Sequence, residues 1–257
     1  MANKPLILIS NDDSINSPGI AQLVSIMQEL GEVIVVAPAG PQSAQGHSIT
    51  IEDPIHLDKV NSFPGVLAYQ CSGTPVDCVK IAIDKILPRR PDLMVSGINH
   101  GSNSSINVLY SGTMSAAVEA SIDGMPAIGF SLCDYSWDAD FGPARPFIKM
   151  LAQEMLYKSL PYGNLLNVNI PKGEIKGIKI CRQAQGRWKE DFDRRETPFG
   201  KEYFWMTGEF VNMDEKDDTD EYALSHGYIS VVPTMFDLTA HSQIDALKQW
   251  NLTHPTK

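Results

Sequence analysis

The 257-residue chain predicts an α/β fold, a doubly wound, mostly parallel sheet with a β-rich C-terminal appendage. Three observations carry this. Short apolar runs alternate with longer amphipathic segments through the first two-thirds of the chain. The runs are continuous rather than alternating, as expected of strands buried on both faces. Polar residues cluster just after several runs, where a parallel sheet exposes the carboxyl ends of its strands. Strand–helix–strand alternation then requires right-handed crossovers that place helices on both faces.

Leu6-Ile7-Leu8-Ile9 forms the first strand and leads through Ser10 and Asn11 into Asp12-Asp13. Pro18-Gly19-Ile20 opens an amphipathic helix to about Leu30, with Leu23, Ile26 and Met27 on its apolar side. Pro18 suits the first helical turn. Residues 33–38 form a second buried strand. A polar loop over 39–47 follows, then the alternating Ser48-Ile49-Thr50-Ile51. Further strands are predicted over 66–71, 92–99, 126–131 and 165–170. Helices are predicted over 75–86, 113–123 and 147–160, the second of them rich in small residues.

The last third changes character. Residues 177–181, 203–210 and 228–232 read as strands, and 244–250 as a short helix. The charged segment 188–201 shows no apolar periodicity. No Pro/Gly/Ser linker separates this region, so the chain reads as one domain. Its core spans 1–172, and 173–257 forms a hairpin-bearing region expected to serve subunit contacts.

The net charge of −10 argues against a nucleic-acid binder, which usually carries a basic face. An acidic protein that handles an anion needs a local positive potential, from a metal or from helix N-termini. Residues 1–9 show no secretory signal, and no run reaches membrane-spanning length. The four cysteines, Cys71, Cys78, Cys133 and Cys181, lack zinc spacing and read as reduced core thiols of a cytoplasmic protein.

The adjacent carboxylates of Asp12 and Asp13 repel each other, and burying both without a counter-ion is costly. A hard divalent cation is the simplest partner. An isolated Asp here would also serve as an ordinary helix cap. Ser43 follows the second strand and Asn99, ahead of His100 and Gly101, follows the strand over 92–99. Parallel strands bring these ends to one edge, giving two carboxylates, a hydroxyl and an amide.

Tyr110-Ser111-Gly112-Thr113 opens a helix and offers free N–H groups and hydroxyls to an anion. Ser111, Gly112 and Thr113, together with Asn99 and Gly101 of the loop after the strand over 92–99, are the candidate phosphate-binding residues. Ser72-Gly73-Thr74-Pro75 is a similar turn, read as structural. His47, His100 and His226 are candidates for proton transfer.

These motifs, with Val36-Ala37-Pro38, Gly46-His47-Ser48-Ile49-Thr50, Gly73-Thr74-Pro75-Val76-Asp77-Cys78-Val79 and Gly227-Tyr228-Ile229-Ser230-Val231, occur in one order. Together they resemble the SurE family of stationary-phase survival proteins, and the resemblance covers nearly the whole chain. It implies a Rossmann-like core and a metal-dependent phosphatase acting on nucleoside 5′-monophosphates. Activity on 3′-monophosphates and short polyphosphate is implied as well.

The resemblance also implies one divalent cation, Mg²⁺ or Mn²⁺, on Asp12, Asp13, Ser43 and Asn99, with the two Asp residues catalytic. It suggests a homodimer or homotetramer. The family usually has Gly where this chain has Ser14, at a position where Gly permits an unusual backbone angle. Attack by water is expected over a phospho-enzyme, although Asp12 or Asp13 as nucleophile stays open.

Two rivals belong to other classes. A receiver-type signalling module would be about half as long, with a phospho-accepting Asp after its third strand and a late Lys. A non-catalytic metal- and nucleotide-binding regulatory module would bind the same ligand without turnover.

Overall fold

The computed structural model describes residues 4–158 and 160–250. The ends of the expected core and tail, at 1–3 and 251–257, lie outside the described residues.

Among the described residues, eleven strands and six α-helices follow one another along the chain. They are β1 (Leu6–Ser10), α1 (Pro18–Met27), β2 (Glu32–Pro38), β3 (Leu57–Val60), β4 (Leu67–Cys71), α2 (Pro75–Ile81) and β5 (Leu93–His100). Then come α3 (Gly112–Ile122), β6 (Ala127–Leu132), α4 (Arg145–Tyr157), β7 (Asn164–Ile170) and β8 (Gly177–Ile180). The chain continues through β9 (Gly186–Glu196), β10 (Glu202–Asn212), α5 (Asp220–Ser225), β11 (Tyr228–Met235) and α6 (Ile244–Lys248).

Nine strands form one sheet in the order β3-β4-β2-β1-β5-β6-β7-β11-β8. Its central strands, β4 through β7, are parallel, while β3 and β11 run antiparallel to their inner neighbours. The doubly wound expectation therefore holds. Strand β1 is buried along its whole length. Ile7 and Ile9 join one core with Leu23, Ile26 and Ile148. Leu6 and Leu8 join a second core on the opposite face with Val79, Ala117 and Ala120. The period of two splits one strand between two helical layers, α1 with α4 and α2 with α3. Each fully buried aliphatic side chain stabilises the fold by about 1.5–3 kcal/mol.

From β1 the chain crosses to β2 on one side, and the later strand β5 pairs on the other. The β1–β5 boundary is the topological switch point, where open α/β sheets place their ligands.

Several local elements depart from expectation. The helix over 75–86 divides into α2 and a π-helical turn, Ala82–Ile86. Thr74 and Asp77 form a reciprocal capping box at its start, in line with the structural reading of that turn. Residues 48–51 hold no strand, and β3 forms further on at Leu57–Val60. The charged stretch after Trp188 is the strand β9, paired with β10 through an eleven-residue antiparallel register. Its side chains lie mostly in solvent on both faces, so no period-2 apolar signal exists. Of the strands after residue 172, β8 and β11 join the main sheet and β9–β10 form a separate ribbon.

Candidate functional site

Asp12 lies just beyond β1 and is almost fully buried. Burial, and next the Asp13 carboxylate, push its pKa up to about 6. The Thr113 hydroxyl donates to Asp12 Oδ1 and partly offsets this. Gly112 packs directly on the same side chain, since a Cβ built there would lie 2.8 Å from Asp12 Cβ. The start of α3 is thus pressed against the first carboxylate.

Asp13 is half-sheltered and accepts from the His100 backbone amide at 3.0 Å. Its Oδ2 also lies 3.1 Å from His100 Nδ1. The His100 ring is buried against Phe141 edge-on and lies parallel to Trp137. Its Nε2 is buried without a hydrogen-bond partner among the described residues. His100 is the basic group paired with this acidic pair; among the described residues neither Asp has a Lys or Arg partner.

Asn99 donates its side-chain amide to the Gly101 carbonyl at 2.8 Å, which leaves Oδ1 as the acceptor end. Between Ser96 and Asn99 the register against β6 shifts by one residue. Such a bulge re-aims side chains at the end of a strand. Gly101 has φ +111 and lies under the Tyr135 ring, where a Cβ would come within 2.4 Å of Cε1. Its backbone needs glycine for that close approach.

Ser43 is exposed on the loop after β2, and among the described residues its hydroxyl makes no hydrogen bond. The loop itself is anchored at both ends of that stretch. The Gln42 amide donates to the Asp12 carbonyl at 2.8 Å, and the Gly46 amide to the Tyr110 carbonyl at 3.1 Å. Ser111 caps α3, its hydroxyl accepting from the Met114 amide at 2.9 Å.

The structure therefore brings Asp12, Gly112 and Thr113 into direct contact and joins Asp13 to the β5 end. Ser43 reaches the group only through its loop. His226 ends α5 and stacks on Tyr222, away from these contacts. His47 instead pairs with Glu119 of α3 at 2.9 Å, and Lys80 pairs with the same carboxylate. Glu119 is held below its usual range by His47 first, then by Lys80.

Sequence reasoning missed the polar network beneath the loop after β5. The Asn103 amide donates to Asn169 Oδ1 at 2.7 Å, and Asn167 donates to the Asn103 carbonyl at 2.8 Å. Asp220, fully buried, accepts from the Ser105 and Ala184 amides. The alternating Asn167 and Asn169 within an apolar strand were the available signal, since buried Asn must find partners.

Ser14 has φ +90. The unusual backbone angle tied to glycine at this position is present, and a serine occupies it. The Ser14 carbonyl accepts from Asn11 Nδ2 at 2.8 Å and from the Ser17 amide at 3.1 Å, which holds the turn.

Fold and geometry define an α/β protein with an acidic site at the carboxyl edge of a parallel sheet, closed by a helix N-terminus. The chain belongs to the SurE family, since the family model for survival protein SurE matches residues 7–190. It is 61% identical to the 5′-nucleotidase SurE of Flavobacterium psychrophilum, over 97% of this chain and 99% of that one. It is 62% identical to the 5′-nucleotidase SurE of Christiangramia forsetii, over 97% and 98%. The crystal structure of the SurE protein from Aquifex aeolicus superposes with a TM-score of 0.83 at 36% identity, over 95% of this chain and 99% of that one.

Proposed function

We propose that this protein is a metal-dependent 5′-nucleotidase that converts nucleoside 5′-monophosphates to nucleoside and phosphate. The observation that carries this is the buried Asp12, beside Asp13 and pressed against the start of α3. The curated names of relatives at 61% and 62% identity support the same activity. A binding module without turnover is not favoured by them. 3′-Monophosphates and short polyphosphate are further candidate substrates.

The donor set fits a hard cation. Two adjacent carboxylates, one forced up to about 6, lack a Lys or Arg partner among the described residues. Asn99 Oδ1 and the Ser43 hydroxyl add neutral oxygens. No cluster of three His, Cys, Asp or Glu exists among the described residues, so the site depends on these neutral donors. Asp12, Asp13, Ser43 and Asn99 would hold one Mg²⁺ or Mn²⁺. When bound, the cation would offset phosphate charge and acidify a water.

The remaining work falls to this chain. Gly112 and Thr113 present first-turn amides that the helix itself does not use, the Thr113 amide also facing the Asp12 carboxylate. Those amides, with Ser111 at the cap and the Asn99–Gly101 turn, hold the phosphate oxygens in place. The helix dipole favours the anion there, which answers the net charge of −10. Water then adds to phosphorus as the ester P–O bond breaks, and the nucleoside oxygen leaves with a proton. Phosphate esters are so inert that positioning and charge stabilisation must supply most of the acceleration.

We also propose self-association as a homodimer or homotetramer through residues 173–257. The ribbon β9–β10 exposes Phe192, Phe204, Trp205 and Met206 to solvent, and the terminal segment exposes Leu247 and Trp250. A cytoplasmic setting is consistent with the free cysteines. Among the described residues no helix is long and apolar enough to cross a membrane.

Phosphate release from nucleoside 5′- and 3′-monophosphates, with Mg²⁺, Mn²⁺ or a chelator, tests the activity. Turnover that survives exhaustive chelation overturns the metal-dependent reading.

A further inference from the structure

The ribbon β9–β10 does more than project from the body. Together with the two loops of the candidate site it lines an open groove of about 530 Å³. That volume falls in the range of roughly 300–1,000 Å³ typical of small-molecule sites. Its lining includes Ala44, Asn107, Tyr110, Trp188, Glu190 and Met206.

Two of these residues tie the groove to the site already described. Ala44 follows Ser43 on the loop anchored to Asp12. Tyr110 precedes Ser111, the cap of α3, and its carbonyl accepts from the Gly46 amide at 3.1 Å. The groove thus begins one residue along the chain from Ser43 and one from Ser111, so a molecule whose phosphate rests on Ser111-Gly112-Thr113 would extend toward it.

The aromatic pair is set up for a flat ligand. Tyr110 is 51% exposed and Trp188 is 38% exposed, and neither is stacked on the other among the described residues. Trp188 is nonetheless held. Its indole Nε1 donates to Asn107 Oδ1 at 2.8 Å, and its ring packs edge-on to Phe210 at 6.1 Å. A fixed indole beside open space is a preorganised stacking surface, and it costs little ordering on binding.

We propose that this groove receives the base of the nucleotide, with Trp188 and Tyr110 as its stacking residues and determinants of specificity for nucleotides over simple sugar phosphates. The inference rests on the phosphatase reading for the position of the phosphate. Stacking uses the face of the ring, which every base possesses, so the groove favours nucleotides as a class rather than one base. The ribbon then contributes to substrate recognition within its own chain as well as to any subunit contact.

The test compares adenosine 5′-monophosphate with ribose 5-phosphate, which carries the same ester without the base. In Trp188→Ala the ratio of kcat/KM for the two substrates falls about tenfold, mainly through KM for the nucleotide, in keeping with the usual strength of base–aromatic stacking. Trp188→Phe retains most of the ratio, and Tyr110→Ala lowers it. A ratio that stays at the parental value in both alanine variants overturns the proposal, as does a loss equal for both substrates.

A second readout separates this inference from the phosphatase reading. Adenosine, which has no phosphate, quenches tryptophan fluorescence in the parent chain, and Trp188→Phe loses that component. Quenching without phosphate release from any ester keeps the groove and defeats the phosphatase reading. Phosphate release from the nucleotide without Trp188-dependent quenching keeps the phosphatase and overturns the groove.

Discussion

Gly112 and Asp12 are packed so closely that no side chain fits between them. A Cβ on Gly112 would lie 2.8 Å from Asp12 Cβ, 3.0 Å from its Oδ2 and 3.1 Å from Pro75 Cγ. Residues 100 positions apart thereby set the position of a carboxylate against the start of a helix. Gly112→Ala must push α3 or Asp12 aside. We expect a stability loss of about 1–3 kcal/mol, the usual cost of overpacking. Turnover should fall further than stability explains, because the displaced group is the carboxylate itself. Thermal melts alongside phosphate release check this; parental turnover would show that the contact has slack.

Asp12 carries a cost of its own position. Its folded-state pKa, pushed up to about 6, exceeds the ordinary value of 3.8. Between those values the folded protein keeps a proton that the unfolded chain has lost. Without divalent cation, stability should therefore fall as pH rises from about 4 to 6 and stay low above it, by roughly 3 kcal/mol in total. Asp12→Asn should raise the melting temperature of the chelated protein near pH 7 and flatten this window, while lowering turnover by orders of magnitude. Melting curves in chelator from pH 4 to 8 decide it; identical profiles in parent and variant would place the charge cost elsewhere.

Ser111 and Thr113 look alike in sequence but do different work. Ser111 accepts from the Met114 amide, so Ser111→Ala removes a helix cap and should cost about 1 kcal/mol of stability. Thr113 is fully buried and donates to Asp12. Thr113→Ala removes that donor, leaves the backbone amides in place and should lower kcat/KM by a margin worth about 1.5–3 kcal/mol. Both should be milder than Asp12→Asn. Comparing melting temperature and kcat/KM for the pair separates the roles, and equal activity losses would contradict the assignment.

Ser14 holds φ +90, a region in which side chains are strained by about 1–3 kcal/mol. Ser14→Gly relieves that strain and gives back about 0.5–1 kcal/mol through a more flexible unfolded chain. Among the described residues the serine Oγ makes only a long 3.4 Å contact with the Asn16 amide. We expect a net gain of about 1 kcal/mol with turnover preserved. A melting temperature below that of the parent would show that the turn needs the hydroxyl.

What could be read from residues alone was whatever depends on local pattern. The continuous apolar runs, short and set between helical patterns, named the buried parallel strands, because a strand covered on both faces is apolar throughout. The polar residues at their ends, Asp12, Asp13 and Asn99, marked one sheet edge for the same reason. The small residues Ser111, Gly112 and Thr113 marked the start of a helix. The strand β9 escaped notice because the exposed ribbon has no buried face to impose a period, and its pairing with β10 alone specifies it. Tertiary structure alone decided that Gly112 rests on Asp12, that His100 serves Asp13, and that His47 turns to Glu119. Each of those pairings joins residues at least 70 positions apart, where sequence spacing carries no information about distance. It likewise carried Trp188 across to Asn107 and Tyr110, because only the packed fold places the ribbon beside the start of a helix more than 70 positions earlier in the chain.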